Sequence, residues 1–357
     1  MTYPPGGGPL EAEIQRKHIP EVLTSTFRGN SSLAFRPGTG SVEYSRYTIA
    51  ADVHIETAIT KDGRDAMRIR EPVVAGRFYP ADAETCTSEL TELWGRARAS
   101  ELSSGSWVGG IVPHAGWVFS GAVTAKVFAA LETALAPKTI VLFGGVHRKI
   151  GSDAAMFTDG RWETPLGAVE IDGRLAERIL GQTNLVVDDP HSHENEHSIE
   201  VQIPFVQHAF PESRIVPIMV TAGPRAFEVG EAVGRTIRAY DYEALVIGTT
   251  DLTHYGPNYG FTPKGPGAEG NAWAKESNDR RFIDLVCDMQ GDKTVEEAAH
   301  HRNACSGGAV AATIATAKAL GARRGTVLDH TSSAEVVARD NGQEASDSVG
   351  YVGIVFS

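Results

Sequence analysis

Short apolar runs alternate with longer amphipathic segments from about residue 71 to the C-terminus. Continuous apolar runs predict strands at Val108–Val112, Thr139–Phe143, Ile215–Val220, Ala244–Ile247 and Gly350–Phe356. Apolar residues spaced three and four apart predict helices at Thr85–Ala97, Ala122–Ala134, Arg174–Leu180, Ile199–Ala209, Ala226–Tyr240, Arg281–Met289 and Gly308–Leu320. Apolar strands separated by helices of this length are typical of a buried sheet with helices on both faces. The sequence therefore predicts an α/β fold with a mostly buried central sheet.

The N-terminal fifth of the chain has a different pattern. Residues 1–40 are rich in Gly, Pro, Ser and Thr, which predicts a loosely ordered arm. From Tyr44 to Arg70, alternating apolar positions interrupted by Asp62-Gly63 indicate a β-hairpin. Because the α/β pattern starts directly afterwards, we predict an N-terminal extension over 1–69 and one α/β domain over 70–357. The extension could cover a site or make the chain a homo-oligomer.

Composition narrows the class of protein. With 33 basic and 45 acidic residues the net charge is −12, which argues against nucleic acid as a partner. The three cysteines, Cys86, Cys287 and Cys305, are too few for a disulfide framework and favour a reducing compartment. No apolar run approaches the roughly 20 residues of a membrane helix, and the N-terminus lacks a signal-peptide core. We therefore expect a cytoplasmic protein without a membrane partner.

Histidines follow three of the predicted strands. His114 comes after Val108–Val112, His147 after Thr139–Phe143, and His254 after Ala244–Ile247. In an open α/β sheet, ligands bind beyond the carboxyl ends of the strands. A single loop histidine is more often structural, but three in equivalent places predict one shared site.

Two further features carry candidate chemistry. The segment 191–200, HSHENEHSIE, contains a match to the zinc-protease pattern HExxH, yet it precedes a helix rather than lying within one. We interpret most of it as a polar loop, from which His197 could still reach the site. Cys305 precedes a helix of small residues, where the helix dipole favours the thiolate that binds metals or attacks substrates. Packing at the helix start is the alternative interpretation of Cys305.

Seven segments occur in the order found in one known family. They are VAGRFYP (74–80), PHAGWVFSG (113–121), GGVHRK (144–149), ETPLG (163–167), NEHSIEVQIPF (195–205), TTDLTHYG (249–256) and NACSGG (303–308). With this combination, the chain from about Arg70 onward resembles the Memo-like family, also known as AmmeMemoRadiSam system protein B. The resemblance implies a fold similar to that of the class III extradiol dioxygenases (LigB-like).

The resemblance also implies a metal site. In those dioxygenases two histidines and a carboxylate hold a non-haem Fe(II). His114 and His147 resemble the two metal-binding histidines, and Cys305 stands where the dioxygenases have a glutamate. A thiolate is softer than a carboxylate, so copper and zinc are alternatives to Fe(II). The valine before His147 replaces a serine common in the family.

The same resemblance implies acid–base residues. His254 resembles a proton-transferring histidine with Asp251 beside it, and His197 resembles a second acid–base histidine. A histidine with a pKa near neutrality suits a substrate that loses protons on binding. Residues adjoining the motifs are expected either to flank the pocket or to pack in the core: Trp117, Phe119, Ser120 and Tyr255. The Gly- and Pro-rich stretch 256–272 predicts a loop, either a lid or an insertion.

Three functional hypotheses follow. The leading one is a non-haem Fe(II)-dependent oxygenase of the class III extradiol type, acting with O2 on a small chelating, catechol-like or other aromatic substrate. The second is a non-catalytic iron- or copper-binding or redox-partner protein on the same fold. The third is a hydrolase with Cys305 as nucleophile, assisted by His254 and Asp251.

Overall fold

Apolar runs form the centre of a nine-stranded mixed sheet in a computed structural model of the chain, which describes residues 67–98, 105–133, 136–342 and 345–357. The strands are β1 (Ile69–Arg70), β2 (Gly109–Val112), β3 (Thr139–Gly144), β4 (Ala154–Met156), β5 (Arg161–Thr164), β6 (Gly167–Glu170), β7 (Val186–Asp188), β8 (Arg214–Val220), β9 (Ala244–Thr249), β10 (His254–Tyr255), β11 (Gly325–Ser332) and β12 (Ser348–Phe356). The order across the large sheet is β10-β12-β2-β9-β3-β8-β4-β7, with β11 also paired to β12. Strands β1, β5 and β6 form a separate three-stranded sheet.

The helices cover the large sheet and its loops. The α-helices span Ala83–Arg98, Trp117–Leu131, Gly173–Gln182, Ile203–Ala209, Ala226–Ala239, Ala268–Trp273, Arg280–Cys287, Thr294–His301, Gly307–Ala319 and Ser333–Asn341. Short 3₁₀ turns lie at Pro190–His193, Glu200–Gln202, Pro257–Tyr259 and Gly291–Lys293, and a π-helical turn lies at Ala274–Asp279.

The middle strands are buried on both faces, as their continuous apolar character predicts. In β3, Val141 and Phe143 belong to one core cluster, and Ile140 and Leu142 belong to the cluster on the opposite face. This alternation follows from the two-residue side-chain period of a strand. The α/β fold with helices on both faces of a buried sheet is confirmed.

One face is closed by an unusually close pair of helices, Ala226–Ala239 and Gly307–Ala319. A Cβ atom at Gly230 would lie 2.1 Å from the carbonyl oxygen of Ala312, so glycine is required for this approach. The two helices are therefore in backbone contact behind the sheet, and the second of them begins beside Cys305.

The topology determines where a site can form. Strands β2, β9, β3 and β8 run parallel to one another, with Ile111 opposite Gly248 and Val141 opposite Val246. The carboxyl ends of β2, β9 and β3 are therefore adjacent at one edge of the sheet. The segments that follow these three ends carry His114, His254 and His147.

Several element predictions need correction. The helix predicted to start at Ala122 begins at Trp117. The start was misplaced because most residues of the first turns are buried, so the sequence there lacks the alternation of apolar and polar positions of an amphipathic helix. The helix predicted at Ile199–Ala209 is a 3₁₀ turn followed by an α-helix from Ile203, with Pro204 in its first turn. The stretch 256–272, predicted as a loop, contains a 3₁₀ turn, and a helix starts within it at Ala268.

Some elements contain no continuous apolar run and were therefore not predicted from the sequence. Strand β11, for example, has six half-buried residues in the sequence GTVLDHTS, so it lacks the continuous apolar signal. The hairpin predicted from Tyr44 lies, up to residue 66, outside the described residues. Within the described ranges, no helix combines the length and the apolar character needed to cross a membrane.

Candidate metal centre

Three histidine rings converge beyond the carboxyl edge of the sheet. His114 and His147 follow β2 and β3, and His197 lies between two 3₁₀ turns. The ring centroids are 5.2 Å apart for His114 and His147, 5.5 Å for His114 and His197, and 4.6 Å for His147 and His197. One ligand nitrogen from each ring lies within 4.8 Å of the others. The structure therefore brings the segments after β2 and β3 together with the segment that carries His197.

Each ring has its Nδ1 atom near a protein oxygen. His114 Nδ1 lies 3.0 Å from Thr249 Oγ1, and His147 Nδ1 lies 2.9 Å from Glu196 Oε1. His197 Nδ1 lies 3.5 Å from the same Glu196 oxygen. Histidines that bind metals usually have their second nitrogen held in this way, which fixes the ring and its tautomer. The three rings therefore fit a metal ion bound through their Nε2 atoms.

Glu196 organises two of these histidines, and its role was not predicted. Its carboxylate accepts hydrogen bonds from the backbone N–H groups of His147, His197 and Ser198, each at 2.9 Å. Burial alone would raise the pKa of Glu196, but the hydrogen bond and charge of His147 lower that pKa well below its usual value. The available signal was an acidic residue directly before a motif histidine, in a segment interpreted as a solvated loop.

Cys305 lies next to His114, beside the group of three histidines. Its Sγ atom lies 3.1 Å from His114 Nε2 and accepts a hydrogen bond from the backbone N–H of Asp251 at 3.2 Å. Burial acts to raise the pKa of the thiol, but the charge of His114 and hydrogen bonds from His114, His147 and His254 lower it well below the usual value. The thiolate, the form that binds metals, is therefore favoured here.

A close backbone approach brings Cys305 to the strand ends. A Cβ atom at Gly145 would lie 1.8 Å from Ser306 Oγ, so glycine is needed where the segment after β3 passes the residue that follows Cys305. Ser198 adds a hydrogen bond from its hydroxyl to the Gly145 carbonyl oxygen at 3.1 Å. The segments that carry His147, His197 and Cys305 are thus held against one another.

Asp251 lies beside these groups but is turned to the backbone. Its carboxylate accepts a hydrogen bond from the His114 N–H at 2.8 Å, and its carbonyl oxygen accepts one from the Cys305 N–H at 3.1 Å. Burial and the charge of Cys305 raise the pKa of Asp251, against the opposing charge of His114. The structure therefore shows Asp251 linking the two segments that carry His114 and Cys305.

His254 lies at the rim of the cluster. It is half-buried and packs edge-on against Tyr259, with 5.1 Å between ring centroids. The turn that carries Tyr259 is fastened on two sides. Asp347 accepts hydrogen bonds from Asn258, and Arg302 donates to the carbonyl oxygens of Tyr259 and Gly260 at 3.1 Å each. Hydrogen bonds therefore hold this part of the predicted loop in place beside His254.

The other histidines of the segment 191–197 stay out of the cluster. His193 is fully buried, and its Nε2 lies 3.1 Å from the Ala155 carbonyl oxygen. Burial and the nearby charge of Arg70 lower the pKa of His193 to about 3, so it remains neutral. His191 is exposed. The sequence pattern did not decide which histidine of this segment reaches the site. In the structure, His197 is the one that lies beside His114 and His147.

Four residues were expected either to flank the pocket or to pack in the core, and all four pack in the core. Trp117, Phe119, Ser120 and Tyr255 are all at most 3% exposed. The Trp117 ring N–H donates to the Val201 carbonyl oxygen, and the Tyr255 hydroxyl donates to that of Gly265. Their proximity to the motifs thus reflects packing beneath the site.

The three cysteines are predicted to react very differently in metal-free protein. About two pH units below the ordinary thiol pKa of ~8.5, we expect iodoacetamide to alkylate Cys305 because its thiolate is favoured there. Burial and nearby acidic groups raise the pKa to about 12 at Cys86 and about 11 at Cys287, so both should stay unmodified. Peptide mass spectrometry measures the result. Modification of Cys287 before Cys305 would contradict the assignment, and His114→Ala should slow the reaction at Cys305.

Comparisons with known proteins agree with the arrangement of motifs. The profile of the Memo family, described as Memo-like protein, matches residues 70–355. A MEMO1 family protein of Methanopyrus kandleri is 35% identical over 297 residues, covering 80% of this chain and 98% of the relative. A MEMO1 family protein of Pyrococcus abyssi is 37% identical over 298 residues, covering 80% and 99%. Among solved structures, an uncharacterized protein from Escherichia coli K12 aligns with a TM-score of 0.47 and 12% identity, over 70% of this chain and 99% of that one.

Proposed function

Since this chain belongs to the Memo-like protein family, we propose that it is a metal-dependent oxygenase with one non-haem Fe(II) ion bound by His114, His147 and Cys305. The substrate class is a small chelating molecule, such as a catechol or another aromatic compound with adjacent oxygen donors, and O2 is the second substrate.

The main support is the convergence of donor atoms with fixed orientation. Imidazole rings held through Nδ1 by Thr249 and Glu196 approach a cysteine whose thiolate is favoured. Two imidazoles and one thiolate suit iron, copper or zinc better than magnesium or calcium. Fe(II) is proposed because the family resembles the extradiol dioxygenases, and copper and zinc are the alternatives that metal analysis would detect.

His197 adds a third imidazole to the cluster. Burial and the charge of His147 lower its pKa to about 3, so its ring is neutral at pH 7. A neutral imidazole can bind the metal ion or accept a hydrogen bond from a substrate hydroxyl. We propose the second role, consistent with the acid–base function that the family resemblance implies.

The protein residues would bind the substrate and move its protons. A bound Fe(II) ion would supply open coordination positions for a chelating substrate and O2. His254, at the rim beside Cys305, would accept a proton from a substrate hydroxyl through its imidazole ring. Tyr259 would hold the His254 ring by edge-on contact. Phe78, 5.0 Å from His197 between ring centroids, would shield that histidine from water.

Oxygen consumption tests the catalytic part of this proposal. Anaerobically purified, iron-loaded protein is mixed with a panel of catechols and aminophenols in an oxygen-electrode cell. We expect turnover with at least one compound and a loss of roughly 10²-fold or more in kcat for His254→Ala, with iron content unchanged. An absence of turnover across the panel at full iron occupancy would instead favour a non-catalytic metal-binding role.

A second candidate function has one specific observation in its favour. Cys305 Sγ and His114 Nε2, 3.1 Å apart, also form the thiolate–imidazole pair of a cysteine-nucleophile hydrolase. Such an enzyme would lose activity on thiol alkylation and keep it in the presence of chelators. The oxygenase should respond to both treatments.

A further inference from the structure

We propose that Arg70 is a positioning residue of the metal centre, fixing the segment 193–200 in the conformation in which Glu196 orients His147 and His197. The inference rests on the proposed metal-binding function. Arg70 lies in β1, outside the large sheet, and neither its sequence context nor the chemistry proposed above assigns it a role.

The Arg70 side chain contacts this segment at three points. Its Nε donates to the His193 carbonyl oxygen at 2.9 Å, and its Nη2 donates to the Glu196 carbonyl oxygen at 2.7 Å. Nη2 also lies 2.8 Å from the Glu200 carboxylate, in an ion pair whose side chains are 2% and 1% exposed. The guanidinium therefore fixes the main chain on both sides of the Glu196 side chain.

Glu200 is itself immobilised by the first family segment, VAGRFYP, and by Val73 directly before it. Its carboxylate accepts hydrogen bonds from the backbone N–H groups of Val73 and Val74 at 2.9 Å and from the Tyr79 hydroxyl at 3.0 Å. On the other side, the guanidinium carbon of Arg70 lies 4.2 Å from the centre of the Trp162 ring. Arg70 is thus held by a charge and an aromatic face, which leaves its donors little freedom to move.

The consequence at the metal centre passes through Glu196. Its carboxylate holds the His147 ring at Nδ1 and the backbone N–H groups of His147 and His197. Hydrogen bonds of this kind around metal-binding histidines typically change metal affinity 10–100-fold. If the main chain at Glu196 shifts, these hydrogen bonds lengthen and the two rings lose their common orientation.

Arginine is specifically suited to this position. A planar guanidinium donates in several fixed directions at once, so a single side chain reaches two carbonyl oxygens and one carboxylate. Lysine keeps the positive charge that pairs with Glu200, but its single ammonium group cannot donate in the same fixed directions as a guanidinium group. Arg70→Lys therefore separates the positioning role of Arg70 from its role as counter-ion.

The test is a Co²⁺ titration of metal-free protein, followed through the absorption bands of the bound ion. We expect Arg70→Lys to raise the Kd for Co²⁺ by about 10-fold and to change the band pattern, because the ligand rings are reoriented. Ile237→Ala removes part of a buried side chain in the helix Ala226–Ala239, away from the site. This control should lower thermal stability but leave both the Kd and the spectrum unchanged.

A double-mutant cycle then asks whether Arg70 acts through Glu196. We expect Glu196→Gln to weaken Co²⁺ binding and Arg70→Lys to have no further effect in that background. An unchanged Kd in Arg70→Lys, or effects of the two substitutions that multiply, would overturn the inference while leaving the metal site intact. An absence of Co²⁺ binding by the unsubstituted chain would overturn the proposed function instead, and this inference with it.

Discussion

Replacement of His147 with alanine is expected to lower the affinity for a transition-metal ion by roughly 10²–10³-fold. Structural zinc sites with four ligands bind with about 10–16 kcal/mol, which corresponds to ~2.5–4 kcal/mol for each ligand. His147 has its Nδ1 held by Glu196 and its ring stacked on His197, 26° from parallel, so its ring is fixed in the orientation that a ligand needs. Competition titration with a chromophoric chelator measures the change.

A histidine outside the cluster provides the control for this prediction. His208 lies in the helix Ile203–Ala209 and packs against Trp94, 4.3 Å away between ring centroids. His208→Ala removes the same type of side chain and should leave the metal affinity unchanged. Equal affinities for His147→Ala and the unsubstituted protein would remove His147 from the ligand set.

Substitution of Glu200 by glutamine is expected to destabilise the fold by about 3–5 kcal/mol, because it leaves Arg70 as an unpaired charge in the protein interior. Both side chains of this ion pair are nearly inaccessible to solvent, and the Glu200 carboxylate also binds two backbone N–H groups and a tyrosine hydroxyl. Urea unfolding monitored by circular dichroism should show a lower midpoint with little change in slope.

An exposed ion pair gives the matching control. Arg280 and Asp284 lie one helical turn apart with 3.0 Å between charged atoms, and their side chains are 61% and 58% exposed. Asp284→Asn should change stability by no more than about 0.5 kcal/mol. A loss below ~1 kcal/mol for Glu200→Gln would mean that water or another group compensates Arg70.

The sequence was sufficient to predict the fold class because the buried strands are continuous apolar runs. Strands β3, β8 and β9 were predicted to within two residues at either end. The parallel pairing of β2 and β3 with β9 then places His114 and His147 at one edge, as the rule for open α/β sheets requires. Edge elements such as β7 and β11 were not predicted, because partial exposure breaks their apolar pattern.

The side chains that support the site were less predictable than the histidines. Glu196 and Arg70 are charged residues in polar segments, and most residues of this kind are solvated. Their burial arises from contacts 126 residues apart in the chain, between Arg70 and Glu196, which no local pattern encodes. Similarly, the hydrogen bond from the His114 backbone N–H to the Asp251 carboxylate was not predicted. Long-range pairing of polar groups requires the tertiary structure.

The most direct test of the central claim is the metal content of protein purified without oxygen, measured by inductively coupled plasma mass spectrometry. We expect about one iron atom per chain in the unsubstituted protein, as one facial ligand set implies, and almost none in the His114→Ala/His147→Ala double variant. Retention of stoichiometric metal by a folded double variant would contradict the assignment of this cluster as the metal centre.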